Sequence, residues 1–295
     1  MRLDNSAFSA YMRCPKLYYE RYEAADFLGV HRGLLSNVAR TGGVPTDAEP
    51  PDGPLVRTPG LQLRADRAGL QFGTRFHQLS ELEHRRLLGL PAKSYQELTD
   101  GQLESECQAT WARYEAHWIG DPLKILATET THIIEIPETP HELVVKIDDV
   151  VGFPDGSIGP KDLKTESVPG HNYRENWAGR TQASLYLWAL TQLYPGEKVS
   201  RLVVDVVTRG SPKKSPTFYR LDDISRPPDA LADAIRNVAR VCEEIERHRR
   251  EGWWPSNMNA CKEHWRKCDM YDLHVLGRTE GNLALYEPAE QYLDI

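Results

Sequence analysis

Leu143-Val144-Val145-Lys146-Ile147-Asp148-Asp149-Val150-Val151 ends at Gly152; after the turn residues Pro154-Asp155-Gly156 the chain continues Ser157-Ile158-Gly159-Pro160-Lys161-Asp162-Leu163-Lys164-Thr165. A run rich in β-branched residues, a turn signal and a second run predict a β-hairpin. Side chains two apart on a strand share a face, so Asp162 and Lys164 point the same way. Asp148, near the end of the partner strand, comes alongside. Two carboxylates and a lysine on one face suit a Mg²⁺ site, in which carboxylates hold the ion and water and phosphate oxygens complete its shell. The same residues also suit a surface hairpin with an ordinary Asp/Lys pair, and the hairpin alone does not separate the two readings.

Two other stretches bear on the choice. Gly73-Thr74-Arg75-Phe76-His77 opens a helix-period segment whose apolar positions include Phe72, Phe76, Leu79 and Leu82. Gln182 and Tyr186 are an i,i+4 pair, hence on one helix face, shortly after the hairpin. The order G-x-x-x-H, I-D, D-x-K-T, Q-x-x-x-Y resembles the PD-(D/E)XK nuclease superfamily. Within it, the likeness is to the RecB-like branch of CRISPR-adaptation nucleases and phage exonucleases, and it spans about Leu3 to His274. The resemblance implies an α/β (α+β) fold: a central mixed β-sheet flanked by helices, with a restriction-endonuclease-like core, N-terminal helical elements and a C-terminal metal clasp. It also implies one nuclease domain over residues 1–274, with a mostly helical part to 120, the sheet core at 121–225, the long helix and clasp at 226–274, and a tail at 275–295.

At 295 residues with 40% hydrophobic and 27% charged side chains, the chain has ample material for a core. No apolar run approaches ~20 residues, and Met-Arg-Leu-Asp-Asn-Ser lacks the apolar centre of a signal peptide, so a cytoplasmic protein of a bacterial host cell is expected. The net charge of -7 argues against a coating of non-specific nucleic-acid contacts. It leaves room for an acidic metal site with a local basic rim. Five cysteines in a cytoplasmic chain suggest metal ligands or free thiols rather than disulfides.

Along the chain, Leu3 to Asp26 reads as helix, capped by Asn5 or Ser6, with Cys14-Pro15 either kinking it or starting a second helix. Its aromatics (Phe8, Tyr11, Tyr18, Tyr19, Tyr22) suit a core, or a platform for unpaired bases. Thr41 to Gly60 reads as an irregular loop. Gln102 to Trp118 is amphipathic, with Leu103, Cys107, Trp111, Tyr114 and Trp118 on one face and Cys107 a buried thiol. Ala127 to Ile136 precedes the hairpin as a strand, and Glu175 to Tyr194 is a helix stopped by Pro195-Gly196. Leu202 to Val207 is a buried strand; Arg209, Lys213 and Lys214 form a basic loop before a strand at Thr217 to Leu221. Asp229 to Arg250 is a long helix whose last turn, Arg247 to Arg250, complements the helix dipole or meets phosphate.

Trp253-Trp254-Pro255 leads into Cys261, Cys268 and His274, ligand types for zinc or an iron–sulfur cluster at a spacing that is not a zinc knuckle. The resemblance adds that members of the branch hold an iron–sulfur cluster, here of 4Fe–4S type, by one Cys before a Pro near the N-terminus and three in a short C-terminal segment. It therefore implies Cys14, Cys261, Cys268 and His274 as cluster ligands, with zinc as the alternative metal. His264 is either a further ligand or a bystander.

The resemblance further implies a Mg²⁺- or Mn²⁺-dependent deoxyribonuclease, an exonuclease on single-stranded DNA or duplex ends. It would serve phage or mobile-element recombination, replication or repair, with recombination or replication proteins as partners. Asp148, Asp162, the carbonyl of Leu163 and His77 would hold the metal, which activates water and steadies the leaving oxygen. Lys164 would orient or deprotonate that water and offset charge developing on phosphorus, orientation being the role an ordinary lysine pKa favours, and Gln182 and Tyr186 would position the lysine or the DNA backbone. Glu129 is expected to support a ligand rather than be one. Two departures from the family pattern stand out. Lys146 replaces a common glycine, and Gly159-Pro160 predicts a bulge or edge where Pro cannot donate to a ladder. The rival functions are a catalytically inactive DNA-binding or assembly subunit and a metal-clasped regulator.

Overall fold

The computed structural model describes residues 1–23, 61–63, 68–166, 172–210, 214–263 and 266–288, so the expected loop at 41–60, Asp26, Lys213 and His264 lie outside the described residues. The chain divides into two compact units, one of residues 1–5 and 66–242 and the other of 6–65 and 243–295.

The first unit is built on a six-stranded mixed sheet. Its strands are β1 (Arg2–Asp4), β3 (Lys124–Glu135), β4 (Glu142–Gly152), β5 (Ile158–Glu166), β6 (Leu202–Thr208) and β7 (Thr217–Ile224), while β2 (Leu61–Leu63) belongs to the second unit. They run in the order β1-β4-β5-β6-β7, with β3 also on β4. The predicted hairpin is β4–β5, turning through Gly156, whose φ of 81° suits a residue without Cβ. β3 pairs with β4 along its whole length, from Glu142 to Gly152. The other edge of β4 is shared. β5 takes Asp149 to Gly152 and β1, in parallel, takes Glu142 to Val144. Between them the edge is unladdered from Val145 to Asp148, and beyond that opening β5 continues against β6 in parallel, from Lys161 to Glu166.

Pro160 sits in a central strand, and the β4 register passes through it without a shift. The expected irregularity is on the other side. Ile158 bridges Val199 whereas Lys161 pairs with Val203, so the partner carries one extra residue across from Gly159-Pro160. The ladder to β6 skips the position that cannot donate. Gly159 is required by the same close approach, because a Cβ there would stand 2.0 Å from the Arg201 carbonyl oxygen.

Helices α3 (Ala68–Leu87) and α4 (Gly101–His117) pack on the sheet through a core of Phe72, Phe76, Leu103, Cys107, Trp111 and Tyr114 with Leu163 of β5 and Val207 of β6. The amphipathic reading of α4 holds, and Asp100 caps it through the backbone N–H groups of Gln102 and Leu103. The helix expected over Glu175 to Tyr194 is two, α5 (Tyr173–Gly179) and α6 (Thr181–Leu193), broken at Arg180, whose ψ of 133° is extended. The break is stabilised from outside: Arg226 donates to the carbonyl oxygens of Ala178 and Arg180 and to Ser184 Oγ at 3.1 Å.

In the second unit, helix α1 (Asn5–Arg13) follows β1 directly and α2 (Pro15–Tyr22) starts at Pro15. Of the two readings of Cys14-Pro15 the second holds, with Pro at the first helical position where its missing N–H costs nothing, while the expected helical start at Leu3 is corrected to strand. The aromatic stripe is core: Phe8, Tyr11 and Tyr18 are buried, and Tyr18 stacks on Tyr22 and Trp254. The long helix α7 (Pro228–Glu251) ends here; in its last turn His248 is buried and Arg249 pairs with Glu23, so that turn is not a bare cationic surface.

Candidate active site

The site forms where β4 and β5 part. Their ladder ends at the Asp149–Lys161 pair, so the next residues of each strand, Asp148 and Asp162, face each other across the opening. Asp148 Oδ2 accepts the backbone N–H of Leu163 at 2.9 Å, and the side chain replaces the missing strand partner. His77 of α3 brings Nδ1 to 3.4 Å from the same oxygen. The helix reaches this far because of Gly73, one turn before His77, where a Cβ would lie 2.7 Å from Thr165 Oγ1.

Asp162 is 1% exposed. Its Oδ1 accepts from Gln182 Nε2 at 3.1 Å, and Lys164 Nζ stands 2.6 Å from Oδ2. That ammonium approaches outside hydrogen-bonding geometry, and Oδ2 is left buried without a hydrogen bond. Burial pushes the Asp162 carboxyl up, the Lys164 charge pulls it back, and the Asp148 charge pushes it up again. Burial pushes Lys164 down, but Asp162 and Asp148 outweigh it and the ammonium is held charged. Tyr186, 7% exposed, has its hydroxyl pushed well up by burial and by the charges of both aspartates. The structure therefore gathers His77, Asp148, Asp162, Lys164, Gln182 and Tyr186 at one place.

Sequence reasoning underrated one residue. Glu129 on β3 joins His77 and Asp148 in a set whose ligand atoms all lie within 4.8 Å of one another, the one such set among the described residues. Its φ of 47° is a left-handed conformation that a glutamate adopts at a cost, and such strain collects at functional sites. Burial first, and then Asp148, pushes its carboxyl up; Lys146, 2.7 Å from Oε2, pulls the other way. The lysine in place of the common glycine thus meets a carboxylate. Asp162 stands outside the 4.8 Å set, its oxygens turned to Lys164 and Gln182. Glu129, Asp148 and Asp162 crowd one opening, burial and the neighbouring Asp148 charge push the Glu129 and Asp162 carboxyls up, and a divalent ion with oxygen preference fits that donor set.

A family model for the PD-(D/E)XK nuclease superfamily matches residues 56–270, more than half of the chain. The chain belongs to that superfamily. As a PD-(D/E)XK protein it carries the acid, acid-x-lysine pattern on β4 and β5, with the His77 and Gln182/Tyr186 helices to either side. No curated protein matches the sequence. Among solved structures, one described as "Putative exonuclease" from Eubacterium rectale aligns at 14% identity over 72% of this chain and 80% of its own, with a TM-score of 0.42. A structure called LHK-Exo in complex with dAMP aligns at 17% identity over 63% and 90%, with a TM-score of 0.27. One called SSO0001 aligns at 15% over 58% and 85%, again with a TM-score of 0.27. Similarity at this level carries no argument about substrate.

In the second unit Cys14, Cys261 and Cys268 are buried free thiols. Burial, and then the neighbouring Cys268 and Cys14, push the Cys261 thiol up, and Cys14 Sγ accepts the Asn257 backbone N–H at 3.2 Å. His274 is buried at its side chain. Its Nε2 lies 3.7 Å from Oε1 of Glu20, a carboxylate fully buried against Arg278. Among the described residues no helix is long and apolar enough to cross a membrane.

Proposed function

We propose that the protein is a metal-dependent DNA nuclease, an exonuclease acting on DNA ends or single strands, with His77, Glu129, Asp148 and Asp162 as the metal-holding side chains. One observation carries this reading: two aspartates on parting strands face a single opening beside a charged lysine, with His77 and Glu129 offering ligand atoms within 4.8 Å of those of Asp148. Bound Mg²⁺ or Mn²⁺ would supply Lewis acidity toward the scissile phosphate and a lowered pKa for a coordinated water. The Leu163 carbonyl, next to Asp162 on β5, stands with these ligands in the proposed set.

The chain's own groups do the rest. Gln182 fixes the rotamer of Asp162 by donating to Oδ1. Lys164, kept protonated by the two aspartates, orients the attacking water and meets charge growing on the phosphoryl oxygens; it is not the base. Tyr186, neutral at physiological pH, stands one turn after Gln182 on the same helix. For the second unit we propose a metal held by Cys14, Cys261 and Cys268. The proposed group is an iron–sulfur cluster, with zinc as the alternative.

The test of the nuclease is incubation of linear and circular DNA with Mg²⁺ or Mn²⁺, with Lys164→Ala and Asp162→Asn as controls. Loss of linear DNA by wild type alone supports the reading. Equal inertness of all three on every substrate leaves an inactive DNA-binding or assembly subunit. For the thiols, iron and zinc are measured with the visible spectrum of protein purified without oxygen; a colourless, metal-free protein ends that proposal.

A further inference from the structure

Arg180 occupies the break between α5 and α6, beside the active-site lysine. Its backbone is fixed on both sides: the N–H donates to the Trp177 carbonyl at 3.1 Å, and the carbonyl accepts from Arg226. Its side chain is fixed too, with the guanidinium carbon 4.3 Å from the centroid of the Trp177 ring. Trp177 is fully buried, so the platform does not move. Lys164 Nζ lies 5.8 Å from the same centroid. Two cations therefore share one indole, and their mutual repulsion is visible in the downward pull that Arg180 exerts on Lys164.

The two cations differ in one respect. Lys164 has Asp162, whereas Arg180 has no carboxylate at ion-pair distance among the described residues. An arginine stacked on tryptophan keeps the N–H edge of its planar fork free, in the geometry that matches phosphate oxygens. The residue also stands at the start of α6, where its own side chain cannot cap the first N–H groups. The guanidinium is solvent-exposed and stacked beside the reacting lysine, so an incoming anion can reach it. Successive phosphates along a DNA strand lie close enough for one to meet Lys164 while its neighbour meets Arg180.

We propose that Arg180, mounted on Trp177, is a binding subsite for the phosphate adjacent to the scissile one. The inference rests on the nuclease reading and deepens it. It makes the enzyme dependent on a second phosphodiester.

The test compares wild type with Arg180→Ala and Arg180→Lys. Binding of a fluorescent oligonucleotide is followed across a salt series with Ca²⁺ in place of Mg²⁺, and cleavage is measured on DNA and on bis(p-nitrophenyl) phosphate, which has no second phosphate. In Arg180→Ala the slope of log Kobs against log salt becomes shallower by about 0.7 to 0.9, one phosphate contact. The ratio of kcat/KM on DNA to that on the small diester falls roughly tenfold, through KM. Arg180→Lys recovers the slope but only part of the ratio. An unchanged slope and ratio overturn the subsite, as does an equal loss on both substrates, which would make Arg180 a support for Lys164. Wild type that neither binds nor cuts DNA removes the nuclease reading itself, and this inference with it.

Discussion

Gly73 and Thr165 touch: the α-carbon of the helix residue lies so close to the strand that a methyl there would stand 2.7 Å from the threonine hydroxyl oxygen. This contact sets how near α3 comes to β5, and therefore where His77 stands relative to Asp148. Gly73→Ala is expected to lower kcat/KM on DNA by about tenfold and to destabilise the fold by about 1–3 kcal/mol, the usual cost of overpacking. The double variant Gly73→Ala/Thr165→Ala should regain most of both. If the single variant is as active and as stable as wild type, the close approach does not position the histidine.

Metal should stabilise the protein before any DNA is present. A ligand that binds only the folded state at a hundredfold excess over Kd adds about 2.7 kcal/mol. Mn²⁺ is therefore expected to raise the Tm of wild type by several degrees. Asp148→Asn should abolish the rise and Glu129→Gln should at least halve it. A full rise in Glu129→Gln would show that this glutamate is a bystander.

Acid sensitivity should trace to a pair behind the site. Arg75, 6% exposed, clasps Glu104 with donors at 2.8 to 3.0 Å and holds its carboxyl at about 2, below its ordinary 4.5. A depressed carboxylate contributes stability that is complete above pH 4.5 and drains away as pH falls toward 2. Urea midpoints measured from pH 6 to pH 2 should fall steeply in wild type over that window and more gently in Glu104→Gln, which starts less stable. Parallel curves would remove the assignment.

Lys161 points away from the metal opening into a buried network, 3.3 Å from Asp149 and 3.5 Å from Asp205, which in turn holds Arg220 and Tyr114. Removing one partner of such a set leaves uncompensated charge. Lys161→Ala is expected to cost about 3–5 kcal/mol. Lys161→Met with Asp149→Asn should cost less than the single variant, because the stranded charge goes with the lysine. A larger loss in the double variant would mean that packing, not charge, governs the position.

The β4–β5 hairpin, the helices carrying Phe76 and Trp111, and the order of the acid, acid-x-lysine and Gln182/Tyr186 motifs were legible because each depends on neighbours within a few residues: alternation, a turn dipeptide, i,i+4 spacing. β1 was not. Three residues cannot announce a strand, and Arg2 to Asp4 become one only by pairing with Glu142 to Val144, far along the chain. The break at Arg180 was hidden for a similar reason, since Thr181 to Leu193 continues the helical pattern and the guanidinium that stabilises the gap comes from residue 226.

By itself the sequence determined which side chains are candidates for the site and on what kind of element each sits, because those follow from residue type and local period. Only the tertiary structure decided that Glu129 lies with His77 and Asp148, that Asp162 turns to Lys164, and that His274 Nε2 comes within 3.7 Å of Glu20. Each of these depends on where two distant backbones come to rest. That is fixed by sheet register and by a glycine-sized gap between helix and strand, neither of which any local stretch encodes.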